Sequence, residues 1–181
     1  MKIMIASDIH GSAYYCKLMI DAFMREKADK LLLLGDILYH GPRNDLPKDY
    51  APKEVITLLN EMKDKLLCVR GNCDTEVDQM VLEFPILADY AVIVQNNHII
   101  YATHGHKFHE ENLPPLQSGD ILLHGHTHVP KCIQHENYVY MNPGSIAIPK
   151  ENSCHSYMIM NGDTFAWKSL VDGAEFQPMN R

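Results

Sequence analysis

Lys2-Ile3-Met4-Ile5-Ala6-Ser7-Asp8-Ile9-His10 is the stretch on which the reading of the whole chain turns. Ile3 to Ala6 form an apolar, strand-like run, and a carboxylate and an imidazole two positions apart follow it. The pattern recurs along the chain. Leu31-Leu32-Leu33-Leu34 runs into Gly35-Asp36, and Leu66 to Val69 into Arg70-Gly71-Asn72. Ile99 to Ala102 leads to His104-Gly105-His106, and Ile121 to Leu123 to Gly125-His126-Thr127-His128. Residues at the ends of neighbouring strands leave a sheet along one edge, so groups distant in sequence converge there. Side chains two apart share a strand face or splay around the turn beyond it, so Asp8 with His10, or His126 with His128, can grip metals. Carboxylates, imidazoles and an amide oxygen are hard-to-borderline donors, suited to Mn, Fe, Zn or Ni rather than calcium or an iron–sulfur cluster. Asp36 offers two oxygens with which to bridge two ions, and a metal pair about 3.5–4 Å apart is a standard device for displacement at phosphorus. One such residue alone reads as a turn or cap. The ordered set points to a metal centre.

Composition narrows the classes. The chain has 181 residues, 46% hydrophobic and 22% charged, with 16 Lys and Arg against 23 Asp and Glu for a net charge of −7. These are the proportions of an ordinary globular domain. Without a basic tract, a protein that grips long nucleic acid through its phosphates is not expected. A small phosphate ester is compatible, because bound metals invert the local charge. The cysteines number 5 and form no C-x-x-C pair, which argues against a disulfide framework and for a reducing compartment. No apolar run approaches the ~20 residues that span a bilayer, and Met1 leads straight into a strand. The expectation is a cytoplasmic protein with no membrane partner.

Along the chain, the pattern predicts strands at Lys2–Ala6, Lys30–Leu34 and Leu66–Val69. Between them lie a helix from Ser12 to Glu26, a long polar loop from Tyr39 to Ala51, and a second helix opened by Pro52. This is a βαβαβ unit with parallel pairing. The second half is mostly strand: Tyr90–Val94, His98–Ala102, Ile121–Leu123, Cys132–His135, Tyr138–Met141, Tyr157–Met160 and Thr164–Leu170. Gln95-Asn96-Asn97 and Asn161-Gly162-Asp163 mark hairpin turns. The expected fold is one α/β domain over residues 1–181, two mixed sheets packed face to face with helices outside.

The order D-x-H, G-D, G-N, H-G-H, G-H-T-H resembles the calcineurin-like metallophosphoesterases. His40-Gly41-Pro42-Arg43-Asn44, Val69-Arg70-Gly71-Asn72-Cys73-Asp74 and Asn142-Pro143-Gly144-Ser145 make the chain similar to the small bacterial YfcE-type phosphodiesterases. The resemblance covers about residues 1 to 170 and implies a four-layer αββα sandwich with the metals at the ends of its central strands. It implies two divalent ions per chain, Mn first, with Fe, Zn, Ni or Co as alternatives. Asp8, His10, Asp36 and His128 would hold one ion, and Asp36, Asn72, His104 and His126 the other. Hydroxide bridging the metals would attack phosphorus in a small phosphodiester. A phosphomonoesterase or nucleotide phosphatase is the alternative, and a catalytically weak interaction scaffold of the same fold a second. A homo-oligomer is compatible with the resemblance.

One position departs from the wider pattern. Many relatives carry His after the G-N pair, where it protonates the leaving oxygen or steadies the phosphate; here that residue is Cys73. Nearby cations are expected to lower its thiol toward a thiolate with no proton to give. Arg43, Asn44, Arg70 and His106 are candidate substrate contacts, Arg70 alternatively a brace by hydrogen bonding. His124 reads as structural, and His40, His98, His109, His135 and His155 as exposed.

Overall fold

Leucine and isoleucine runs buried on both faces build the centre of the molecule. The computed structural model describes residues 1–180, so Arg181, the last residue of the expected domain, lies outside them. β1 (Lys2–Ala6), β2 (Lys30–Leu33) and β3 (Leu66–Cys68) pair in parallel, linked by helices α1 (Ala13–Glu26) and α2 (Pro52–Asn60). Alternation along β1 and β2 divides their side chains between two cores. Met4, Ala6, Leu31 and Leu33 pack under the helices with Met19, Phe23, Val55 and Leu59. Ile3, Ile5, Leu32 and Leu34 face the second sheet, against Ile100, Ala102, Leu123 and Met141. Burying each such side chain contributes roughly 1.5–3 kcal/mol. α1 starts where Ser12 accepts the Tyr15 N–H, and α2 starts on Pro52 at its first turn. A one-turn helix, α3 (Glu76–Gln79), follows β3 with Thr75 and Asp78 as a capping box.

Eight strands follow: β4 (Tyr90–Gln95), β5 (His98–Thr103), β6 (Asp120–His124), β7 (Pro130–Gln134), β8 (Tyr138–Pro143), β9 (Ser156–Asn161), β10 (Thr164–Ser169) and β11 (Glu175–Phe176). The first sheet has the order β11-β10-β9-β1-β2-β3, the second β4-β5-β6-β8-β7. Both are mixed, and they stack face to face as expected. α1 and α2 cover the outside of the first sheet. The outer layer over the second sheet is a loop rather than a helix: Phe108 meets Tyr101 edge-on at 5.6 Å, and Leu116 packs on Leu122, Tyr138 and Tyr140. No helix among the described residues is long and apolar enough to cross a membrane.

This topology positions the site. β1, β2 and β3 run parallel, as do β5, β6 and β8, so the ends of β1, β2, β3, β5 and β6 present the loops bearing Asp8, Asp36, Asn72, His104 and His126.

Candidate metal centre

Seven acceptor-bearing side chains meet between the two sheets. Asp8 Oδ1 lies 3.2 Å from His128 Nε2 and 3.5 Å from His10 Nε2, and those two nitrogens are 3.3 Å apart. Asp36 Oδ2 stands 3.7 Å from His10 Nε2 and 3.5 Å from His104 Nε2. His104 Nε2 is also 3.0 Å from Asn72 Oδ1 and 3.1 Å from His126 Nδ1. Thus Asp8, His10, Asp36, Asn72, His104, His126 and His128, distributed over five loops, share one cluster.

Backbone carbonyls set the imidazole tautomers. His10, His104 and His128 each donate Nδ1–H to a carbonyl, of Tyr39 at 2.8 Å, Leu34 at 2.6 Å and Ile148 at 2.6 Å. In a neutral ring this leaves the Nε2 lone pair facing the cluster. Lone pairs therefore crowd lone pairs, and buried Asp8 Oδ1 has no hydrogen-bond donor. Oxygen and imidazole donors in this number fit divalent transition ions, and Asp8, His10 and His128, like Asp8, Asp36 and His104, come close enough to share one.

Charge reinforces the fit. Burial raises the Asp8 carboxyl, but its neighbours His128, His10 and His104 outweigh it, holding Asp8 well below the usual range. Burial and the neighbouring His104 push His126 down to about 4. An ionised carboxylate beside a neutral imidazole is the state in which both accept a cation.

The backbone at the cluster is unusual. Asp8, His10, Asp36, His126 and His128 all adopt left-handed conformations, with φ between 48° and 65°. For a residue with a Cβ this costs on the order of 1 kcal/mol. Local hydrogen bonds hold them there: His10 N–H reaches Asp36 O at 2.9 Å, His126 N–H reaches Asp8 Oδ2 at 3.2 Å, and Cys73 N–H reaches Asp36 Oδ1 at 2.8 Å.

Asp74 was not singled out from sequence, yet it ties two of these loops together. Its buried carboxylate accepts N–H groups from Asp36 (2.8 Å), Ile37 (2.9 Å) and Gly71 (2.7 Å). Only the bond to Gly71 is local enough to be read as a turn; the reach to Asp36 leaves no signal in sequence. Gly71 is equally constrained, since a methyl there would overlap Asp36 and come within 2.9 Å of Asp74 Oδ2. Gly71→Ala should therefore cost roughly 1–3 kcal/mol of stability, as overpacking does, and weaken metal binding. Urea denaturation and a Mn²⁺ titration measure both; an unchanged unfolding midpoint would show that the loops yield freely.

A cavity of about 420 Å³ opens onto the cluster, lined on its outer side by Arg43, Asn44, Cys73, Thr127 and Lys150. Arg43 and Asn44 are where a substrate would pass, although Asn44 Nδ2 donates to His40 O at 2.8 Å. Arg70 does not line this cavity: it donates to Asp74 O at 3.1 Å and Glu76 Oε1 at 3.3 Å. His106 lines a neighbouring cavity instead. Thr127 and Lys150 were missed; Lys150 arrives because its N–H bonds His128 O at 3.2 Å, a contact between loops that no motif announces.

Among the protein's own groups, burial and the charge of Asp36 push the Cys73 thiol up, whereas the lowering expected from sequence is that of bound cations. One expectation is corrected. Of the five histidines expected to be exposed, only His98 is. His155 stacks on Tyr15 at 4.0 Å and donates to Ile146 O, His135 stacks on Tyr138 at 4.5 Å, and His40 meets Tyr50 edge-on. His109 is half-buried in a turn closed with Asn112. His124 is buried as expected, stacked on Tyr140 at 4.4 Å.

Comparison with known proteins agrees with this geometry. The profile of the calcineurin-like phosphoesterase superfamily domain matches residues 1–164. Phosphodiesterase YfcE of Escherichia coli K12 is 45% identical over 172 residues, 95% of this chain and 94% of that protein. The solved structure of YfcE, described as a phosphoesterase from E. coli, superposes with a TM-score of 0.94 at 44% identity, covering 99% of this chain and 98% of that one. Vps29 from Entamoeba histolytica complexed with Zn²⁺ gives a TM-score of 0.57 at 20% identity, covering 97% and 96%, a likeness of fold alone.

Proposed function

Because the chain belongs to the calcineurin-like phosphoesterase superfamily, we propose that it is a metal-dependent phosphodiesterase acting on small phosphate esters. The observation that carries this reading is the convergence of seven acceptor side chains, five of which line a cavity together with Arg43 and Lys150. Two divalent ions fit the set, one on Asp8, His10, Asp36 and His128 and one on Asp36, Asn72, His104 and His126, with Mn ahead of Fe, Zn, Ni or Co. When bound, such ions supply Lewis acidity at phosphorus and a nucleophile from water at neutral pH.

The chain's own residues do the remaining work. Three Nδ1–H···O=C bonds fix the imidazoles, and the Cys73 and His126 N–H groups fix one oxygen each of Asp36 and Asp8. Preorganisation of this kind spares reorganisation during reaction. Arg43 and Lys150 offer positive charge to a departing oxygen. Asn72 and His104 take part as ligands that orient the phosphate, while Cys73 stands beside it. The same metals would support a monoesterase, and the intact ligand set weighs against a scaffold without catalysis.

Residues 1–181 read as one domain, because β9 pairs Met160 with Ile3 of β1 across nearly the whole chain. A cytoplasmic location is consistent with five free cysteines, and a homo-oligomer with the apolar row Tyr90, Val92 and Val94 exposed on edge strand β4. The test is to strip the protein with a chelator, restore Mn²⁺, and assay phosphodiesters beside monoesters. Activity should return with two ions per chain and favour diesters. Elemental analysis giving one ion or none, or a preference for monoesters, would count against the reading.

A further inference from the structure

A second cavity, again about 420 Å³, lies on the other side of His126 and Thr127, which line both. A phosphodiester has two arms, and a centre placed between two cavities has a place for each. The two differ sharply in charge. The first carries Arg43 and Lys150; the second is lined by His106, His109, Glu110, Glu111 and His124, with no Lys or Arg. Its nearest cation in sequence, Lys107, is drawn off to Asp89 Oδ1 at 2.7 Å.

The second cavity is also firmly built. Glu110 is bonded to His124 Nε2 at 2.8 Å, and His124 is itself buried against Tyr140. His109 and Asn112 exchange backbone hydrogen bonds of 3.0 and 3.3 Å, and Asn112 Nδ2 ties back to Lys107 O at 2.7 Å. His106 Nδ1 is buried without a partner at the end nearer the metal ligands, its ring 5.4 Å from that of His104.

Resting on the phosphodiesterase reading, we propose that this cavity receives the ester arm that remains on phosphorus, and that this arm ends in a cationic, ammonium-type head. The leaving arm then occupies the first cavity, where Arg43 and Lys150 face its developing negative charge. In the reaction, the oxygen of one water joins phosphorus and the bond from phosphorus to the leaving oxygen breaks. The water's two protons are divided between the leaving alcohol and the phosphate or solvent, and the retained arm stays on as a monoester. Glu110 and Glu111 set which arm is retained.

The test uses the full-length, Mn²⁺-loaded protein and two substrates with one leaving group and matched size. These are 4-nitrophenyl phosphocholine and its neutral isostere, 4-nitrophenyl 3,3-dimethylbutyl phosphate. The ratio of their kcat/KM values is the readout, since general damage to the enzyme cancels. It should favour the cationic arm about threefold, as one partly exposed ion pair with Glu111 beside a Glu110 shared with His124 would. Glu111→Gln and Glu110→Gln should each bring it toward one, and Glu111→Lys below one. Glu111 is exposed, so its variants do not depend on the anchoring of His124. A ratio near one in the native protein would overturn the assignment of the arm. So would an equal fall in Glu175→Gln, a carboxylate on β11 outside both cavities. If neither diester were hydrolysed, the phosphodiesterase reading itself would fall, and this inference with it.

Discussion

Asp36→Asn should lower turnover by at least roughly 10²-fold at limiting Mn²⁺, since loss of even an outer partner of a metal ligand can cost that much. The carboxylate is buried, with Oδ2 facing both His10 and His104 while Oδ1 accepts the Cys73 N–H. An amide would turn an N–H either toward the imidazole lone pairs or against the Cys73 N–H. The first orientation removes the acceptor that two ions are proposed to share, and the second leaves there only a neutral amide oxygen while setting N–H against N–H. His128→Ala is the contrast, because His128 touches only the Asp8 and His10 side of the cluster. It should weaken one ion and spare the other. Excess Mn²⁺ would hide both defects by mass action, so the informative format is activity against metal concentration. Near-native activity of Asp36→Asn at limiting metal would refute the bridging assignment.

The second large effect belongs to Cys73, which lines the cavity beside Asn72 and Arg43. Raised by the surrounding carboxylates or lowered by bound cations, a thiol is a poor proton donor to a leaving oxygen at neutral pH. Rates should therefore fall steeply as the leaving group becomes more basic, with aryl diesters far ahead of alkyl ones. General acid catalysis is worth ~10²–10⁴-fold, which is the deficit expected for poor leaving groups. Cys73→His should restore a donor and help alkyl substrates more than nitrophenyl ones. The measurement is log(kcat/KM) against leaving-group pKa for both proteins. A flat dependence in the native protein, or the same slope in both, would remove Cys73 from this role.

The clustered residues were legible because each stands where an apolar run stops. Leu31 to Leu34 announces a buried strand, and Gly35 and Asp36 just beyond it must lie at a sheet edge. The βαβαβ half was legible for the same reason, its continuous apolar runs alternating with stretches of helical period. How the two halves close on each other could not be read. β9 pairs with β1 through Met158 and Met160 opposite Ile5 and Ile3, and nothing local in either strand names its partner. Asp74 and Lys150 escaped for a related reason. Each acts through backbone groups of another loop, and a backbone N–H has no sequence identity. Cys73 shows the limit for chemistry: its residue type says nothing of the carboxylates of Asp36 and Asp74 that the fold assembles around it.

Chemistry and backbone pull apart at the five left-handed residues. The proposed metal centre asks for histidine and aspartate there, whereas those torsion angles are most comfortable for glycine. In a lineage that no longer needed hydrolysis, only the second preference would remain. Substitutions at positions 10, 126 and 128 would then tend to make the fold more stable as they erased the site, so decay of the enzyme would run thermodynamically downhill. The architecture could thus outlast the activity it houses.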